Sequence, residues 1–310
     1  MNTHHIKRAH WHDYQSRSIY FITINKRDNI PSFGRLEGDI MAEKGSPRYP
    51  TIKRTPLGNK IARMIYKLPE IIPSCRLYQY VVMPDHIHFL IFIQERTPLH
   101  LGMYISKFKH LLKEETGLSL FRAGFNDKVV GLKRNLNAIF EYIRENPYRL
   151  ALRKANRAYF ERCESIILAG RRYMAYGNLQ ILKNPFMEEI IIHRRYSDQD
   201  RRDLKEKWLR HAQSGGAVVS PFIAPGEKEI RKEIEALGGP VVLIVEKPLP
   251  PAPYKPSKHE FYQCAKGELV ILAPYDEDLS GGSNRIPRSA CKKMNALAEY
   301  LASRGKHSNP

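Results

Sequence analysis

The sequence predicts an α+β domain with a largely antiparallel sheet, followed by an α/β domain with a parallel sheet. Three observations predict it. The strand-like runs of the first half are β-branched and aromatic, and two of them are joined by a tight turn. The apolar runs of the second half lack period-two alternation, as strands covered on both faces do. Those runs also alternate four times with helical stretches. The change of rhythm falls near Tyr173 to Asn178 and gives domains over 1–175 and 176–310.

In the first half, Ser18 to Asn25 is a strand by propensity. Asn29 to Pro56 is rich in Gly, Pro and charge and reads as an insertion or loop. Leu57 to Tyr66 has helical spacing, with Ile61, Met64 and Ile65 on one side. Arg76 to Met83 and His86 to Ile93 form a hairpin turning at Pro84-Asp85. Leu99 to Glu115 is an amphipathic helix, Phe125 to Val130 a further strand, and Leu132 to Asn146 a helix that Pro147 helps to stop. In the second half, strands over 189–192, 217–219, 241–245 and 269–272 alternate with helices over 198–212, 227–237 and 257–265, and a helix over 289–302 closes the pattern. Such alternation predicts a doubly wound sheet. Pro248 to Pro253 reads as a long loop.

Composition narrows the function. The 310 residues hold 51 Lys and Arg against 32 Asp and Glu, a formal charge of +19. The excess is N-terminal, with 30 basic against 15 acidic residues in 1–174 and 21 against 17 thereafter. A polyanion is the natural partner of such a surface, because cations facing phosphates release condensed counterions; a merely soluble basic surface fits the charge equally well. No apolar run reaches the length of a membrane helix, and charges and histidines occupy the segment where a signal peptide is apolar. The expectation is a cytoplasmic protein without a membrane partner. Cys75, Cys163, Cys264 and Cys291 lack CxxC spacing and read as reduced thiols.

The chemistry centres on His86-Ile87-His88. On a strand, alternate side chains share a face, so two imidazoles two residues apart can hold one metal ion while Ile87 points away. By itself such a pair is better read as satisfied core or hairpin histidines. A second element changes the balance: in Tyr142-Ile143-Arg144-Glu145-Asn146-Pro147, Tyr142 and Asn146 stand four apart on one helix face. A divalent ion on His86, His88 and the Asn146 oxygen would polarise a phosphate, and Tyr142 would be the nucleophile. A phosphotyrosine conserves the energy of the broken phosphodiester, which suits strand transfer. The sequence singles out no base for the phenol, whose reference pKa is about 10.

Tyr80-Val81-Val82-Met83-Pro84-Asp85-His86-Ile87-His88 resembles the HUH motif of single-tyrosine transposases acting on single-stranded DNA, and Tyr142-Ile143-Arg144-Glu145-Asn146-Pro147 resembles the catalytic helix of their REP-associated tyrosine transposase (RAYT) branch. The resemblance covers residues 6–160. It implies a ferredoxin-like HUH nuclease fold and a dimer dependent on Mg²⁺ or Mn²⁺. It also implies an enzyme that recognises hairpin-forming DNA, cuts one strand, and leaves a 5′-phosphotyrosine and a free 3′-OH. Asp85 stands where the family commonly has asparagine, and Leu120-Phe121-Arg122 replaces a more usual Trp-Gln-Arg. Tyr148 and Tyr104 are lesser candidates for the nucleophile.

DNA contacts are expected from Arg17, Lys107, Lys109, Lys113, Arg122, Lys128, Lys133 and Arg134, with Phe121 and Phe125 as core residues that could instead stack a base. His4, His5, His10 and His12 read as part of an arm beside Lys7 and Arg8 rather than as a second metal site. The second half resembles, more faintly, the Rossmann-like domain of DNA-processing protein A, through its strand–helix order and Gly281-Gly282-Ser283-Asn284-Arg285. Ligands of such a sheet sit around His193, Ser220 to Gly226 and Ala273 to Asp276. The loop after the strand at 217–219 is poor in glycine, so an accessory module holding DNA, a partner or the dimer is preferred to a nucleotide site. The rival functions are a DNA-binding protein of this fold that no longer cuts, and an HUH replication or relaxase-type initiator.

Overall fold

Alternation along β1 (Ser18–Asn25) divides its side chains between two layers, with Tyr20, Ile22 and Ile24 in one core and Ile19 in another, as the pleat requires. The computed structural model describes residues 9–130, 136–193, 195–276 and 286–306. Its chain divides into two compact units, Met1–Leu152 and Arg153–Pro310.

In the first unit, β1 is followed by a short antiparallel pair, β2 (Gly34–Glu37) and β3 (Thr51–Arg54), inside the stretch expected to be loop. Then come α1 (Pro56–Tyr66), the single turn α2 (Leu68–Ile71), β4 (Cys75–Val82), β5 (His86–Ile93), α3 (Leu101–Thr116), β6 (Asn126–Val130) and α4 (Asn137–Ala155). The sheet has the order β4-β5-β1-β6, antiparallel throughout. Ile61 and Ile65 of α1 and Ile105, Phe108 and Leu112 of α3 pack with Ile87, Phe89, Ile91 and Ile93 on one face. Ile143 of α4 packs with Leu90 and Phe92 on the other. His86 and His88 share the parity of Leu90 and Phe92 and therefore face α4.

Local chemistry sets the ends of these helices. The Thr55 hydroxyl accepts from Gly58 N, with Pro56 in the first turn of α1. A Cβ on Gly58 would lie 1.9 Å from the Phe33 carbonyl oxygen, so only glycine fits. Gly117, at φ 71°, closes α3 in the left-handed conformation. The fourth helix corrects an expectation, since it runs through Pro147 to Ala155 instead of stopping there. Proline removes one intrahelical donor, but the Asn146 side-chain amide donates to the Tyr142 carbonyl at 2.6 Å and reinforces the turn. Residues 132–135, expected in this helix, lie outside the described residues.

The second unit begins in the last turn of α4. It contains β7 (Glu161–Leu168), β8 (Arg171–Gly177), β9 (Met187–Glu189), α5 (Asp198–Gln213), β10 (Ala217–Ser220), α6 (Pro225–Ala236), β11 (Val241–Ile244), α7 (Lys258–Lys266), β12 (Leu269–Pro274) and α8 (Arg288–Lys306). Their sheet has the order β7-β8-β12-β11-β10-β9. β9 to β12 run parallel, while β8 joins β12, and β7 joins β8, antiparallel. The boundary expected at 175/176 thus falls inside β8, whose ladder to β12 ties residues 161–177 to the second sheet. The first parallel strand also sits earlier than expected, at Met187–Glu189.

The winding differs from expectation too. Trp208 and Ala212 of α5, Ile230 and Ile234 of α6 and Cys264 of α7 all enter one core. Met294, Leu297, Ala298 and Leu301 of α8 fill the opposite one. Strand order steps one way from β9 to β12, so the three crossovers share a face, and α8 with Ile181 and Leu182 of the short 3-10 turn Leu179–Lys183 covers the other. The sheet is not doubly wound, and it lacks the order reversal that opens a crevice between parallel strands. Gly281 to Arg285 lie outside the described residues.

Candidate active site

The β4–β5 turn at Pro84-Asp85 and the antiparallel register build the site floor. His86 lies opposite Asn25, and His88 opposite Thr23. The two imidazoles meet with their Nε2 atoms 3.0 Å apart and ring centroids 4.5 Å apart. His86 Nδ1 is 2.7 Å from Asp85 Oδ1, and the imidazole beside Asp85 holds that carboxyl below its usual range. Asp85 therefore orients a histidine, leaving Nε2 as the nitrogen turned to His88. His88 is buried, with Nδ1 2.8 Å from the Thr23 hydroxyl and its ring stacked on Phe21.

From the other layer, α4 brings its tyrosine to this floor. The Tyr142 ring meets His88 edge-on at 5.7 Å and Phe21 at 5.8 Å between centroids. The Arg149 guanidinium lies 5.4 Å from the Tyr142 ring centroid. Asn146 is buried one turn along, its amide nitrogen committed to the Tyr142 carbonyl, so its oxygen is the atom suited to a cation. Two imidazoles and an amide oxygen are a donor set a divalent ion accepts. Among the described residues, no group of three or more His, Cys, Asp or Glu side chains could hold a metal. Tyr148 instead stacks on Tyr49, 5.1 Å between centroids, while Glu145 pairs with Lys44 at 3.5 Å. Both contacts tie the chain between β2 and β3 to α4. Tyr104 is buried in the α3 core.

The expected DNA-binding residues separate into groups. Lys128 stands opposite Phe21 in the β1–β6 ladder, so it projects to the histidine face and is exposed. Arg17 lies over Phe92, on that same face of the sheet. Lys109, Lys113 and Arg122 line a separate cleft of about 330 Å³ with Arg27 and His110. There the Lys109 ammonium is tied to the Arg122 and Gly124 carbonyls, and burial and the nearby Arg27 push its pKa down to about 8. Lys109 thus has a structural task. Lys107 is exposed on α3 outside that cleft. Lys133 and Arg134 lie outside the described residues, as do His4 and His5. His12 bonds the Tyr20 hydroxyl at 2.9 Å, and burial lowers its pKa. Phe121 and Phe125 are core residues.

Sequence reasoning missed Thr23, Phe21 and Arg149. The first two become visible only through strand register. Arg149 follows Tyr142 by seven residues, a two-turn spacing that was available to see.

No family model matches the chain. A protein of Haemophilus influenzae (strain ATCC 51907 / DSM 11121 / KW20 / Rd), described as uncharacterized, is 23% identical over 165 residues, covering 45% of this chain and 86% of the relative. Among solved structures, a REP-associated tyrosine transposase bound to a REP hairpin is 16% identical with a TM-score of 0.34, covering 46% of this chain and 74% of that one. Identity and score this low leave the reading of the site to its own residues. No helix among the described residues is long and apolar enough to cross a membrane.

Proposed function

We propose that the first unit is a metal-dependent endonuclease and strand transferase of the HUH tyrosine transposase type, acting on single-stranded, hairpin-forming DNA through a 5′-phosphotyrosine. The observation that carries this reading is the approach of the Tyr142 ring to the His86–His88 pair across the gap between α4 and the sheet. His86, His88 and Asn146 would hold Mg²⁺ or Mn²⁺. Such an ion, when bound, supplies Lewis acidity to a non-bridging phosphate oxygen.

The remaining work belongs to the chain. The Tyr142 phenol loses its proton as its oxygen bonds to phosphorus, and the P–O3′ bond breaks, the leaving oxygen taking a proton to become the free 3′-OH. Arg149, whose guanidinium lies beside the Tyr142 ring, would meet phosphate charge. Lys128 and Arg17 extend a cationic track on the same sheet face. A dimer is part of the proposal through the motif resemblance alone.

The test uses a 3′-labelled, hairpin-bearing single strand with Mn²⁺. Wild-type protein is expected to form a labelled covalent band that Tyr142→Phe does not form although it still binds the strand. Binding by wild type without any covalent band would instead support a DNA-binding protein that does not cut.

A further inference from the structure

The second unit holds a cleft of about 910 Å³ at the carboxyl ends of β9 and β10, closed in by α5, the start of α6 and the start of α8. Ile192, Ile223 and Pro225 form an apolar wall, and the imidazole of His193 adds an aromatic face. Arg201, Arg202 and Lys205 of α5 supply positive charge, and Glu227 and Glu229 of α6 negative charge. Lys205 is paired with Glu233 at 2.7 Å. Arg202 donates to the Gln199 carboxamide oxygen at 2.7 Å, and neither arginine is ion-paired to a carboxylate among the described residues.

In a parallel sheet the usual seat for a phosphate at this edge is the amino end of the following helix, where backbone N–H groups converge. Here that seat is taken. The buried Glu227 carboxylate accepts from Ile192 N at 3.0 Å through one oxygen, and from Ile223 N at 2.9 Å and Ala224 N at 3.0 Å through the other. An incoming phosphate would meet a fixed negative charge at the helix end, whereas the Arg201 and Arg202 guanidiniums of the same lining carry no carboxylate partner among the described residues. The volume lies within the range of small-molecule sites, and an apolar wall together with two guanidiniums in one cleft suits a ligand with one flat apolar end and one anionic end.

We propose that this cleft binds a nucleoside phosphate, with the phosphate on Arg201 and Arg202, the base against Ile192, Ile223 and Pro225, and the α6 terminus closed by Glu227. The same chemistry is offered by a free mononucleotide and by the 5′-phosphorylated end of a nucleic acid strand.

Cys291 lines the cleft and is partly exposed, whereas Cys163 is partly exposed outside it and Cys75 and Cys264 are buried. Peptide-resolved alkylation of the full chain therefore reads the cleft alone. 5′-AMP or ATP, or in a separate arm a 5′-phosphorylated oligonucleotide compared with its 5′-hydroxyl form, is expected to slow Cys291 alkylation several-fold and leave Cys163 unchanged. Protection by mononucleotide assigns the free ligand, and protection only by the phosphorylated oligonucleotide assigns the strand end. Either protection is expected to vanish in Arg201→Glu/Arg202→Glu, whose exposed positions leave the fold intact by circular dichroism. No protection of wild-type Cys291 by any of these ligands, or equal protection in the double variant, would overturn the proposal.

Discussion

The Thr23 hydroxyl stands 2.8 Å from His88 Nδ1, directly across the β1–β5 ladder, and its orientation decides what the other imidazole nitrogen offers. The Asp85 carboxylate is positioned to accept a hydrogen bond from His86 Nδ1–H, leaving a lone pair on His86 Nε2. When Thr23 donates to His88, His88 Nε2 carries its proton and donates to His86 across 3.0 Å. When Thr23 accepts, both Nε2 lone pairs face one point and call for a cation. A hydroxyl can do either, so Thr23 lets one pair of rings be satisfied with or without an ion. Thr23→Val is expected to weaken Mn²⁺ binding about 10–100-fold, and Thr23→Ser to preserve it, as read by paramagnetic resonance titration. Equal affinity in the valine variant would remove the hydroxyl from this role.

The Tyr49–Tyr148 stack and the Lys44–Glu145 pair join the β2–β3 segment to the helix that carries Tyr142. Tyr49→Ala is expected to lower stability by about 0.5–1.5 kcal/mol beyond the area lost, and to slow adduct formation while leaving Mn²⁺ affinity unchanged. Denaturant titration and single-turnover cleavage measure the two effects. An unchanged cleavage rate would mean that this contact does not position the helix.

Gly58 has no room for a methyl group, because the obstacle is the Phe33 backbone carbonyl rather than a side chain that could turn aside. Gly58→Ala is expected to cost about 1–3 kcal/mol by overpacking, despite alanine's better helix propensity. Urea unfolding of the two proteins decides it.

Burial pushes the Cys75 and Cys264 thiols up to about 12. Below the unfolded thiol pKa of about 8.5 both states keep the proton, so the full contribution to stability is present. Above it the unfolded chain releases protons that the folded chain retains, and stability falls as pH rises toward the folded value. The melting temperature is expected to decrease from pH 8 to pH 10, and less so in Cys75→Ala/Cys264→Ala relative to that variant's own value at pH 8.

Much of the first unit was legible because its strands carry their own signals. Ser18–Asn25 and His86–Ile93 have the bounds their composition suggests, and the alternation that puts His86 and His88 on one face follows from the strand alone. What the sequence concealed depends on partners far along the chain. Thr23 gains its meaning from register, and β8 belongs to the second sheet because β12 pairs with it. Pro147 misled because the proline rule describes an isolated helix, whereas here the Asn146 amide and the packing of Ile143 carry α4 onward. The direction of sheet winding was likewise hidden, since a β-α repeat fixes alternation but not which side of the last strand the next one joins. Glu227 reads as an ordinary helix residue until its carboxylate is found on three backbone donors.

The proposal that the Tyr142 phenol beside the His86–His88 pair is the nucleophile is tested most directly by locating the covalent bond itself. Wild-type protein incubated with Mn²⁺ and a hairpin-bearing single strand, digested with nuclease and protease and analysed by mass spectrometry, is predicted to yield one nucleotide-modified peptide with the phosphate on Tyr142. Modification of Tyr148 or Tyr49 instead, or bound DNA with no modified tyrosine at all, would contradict the account.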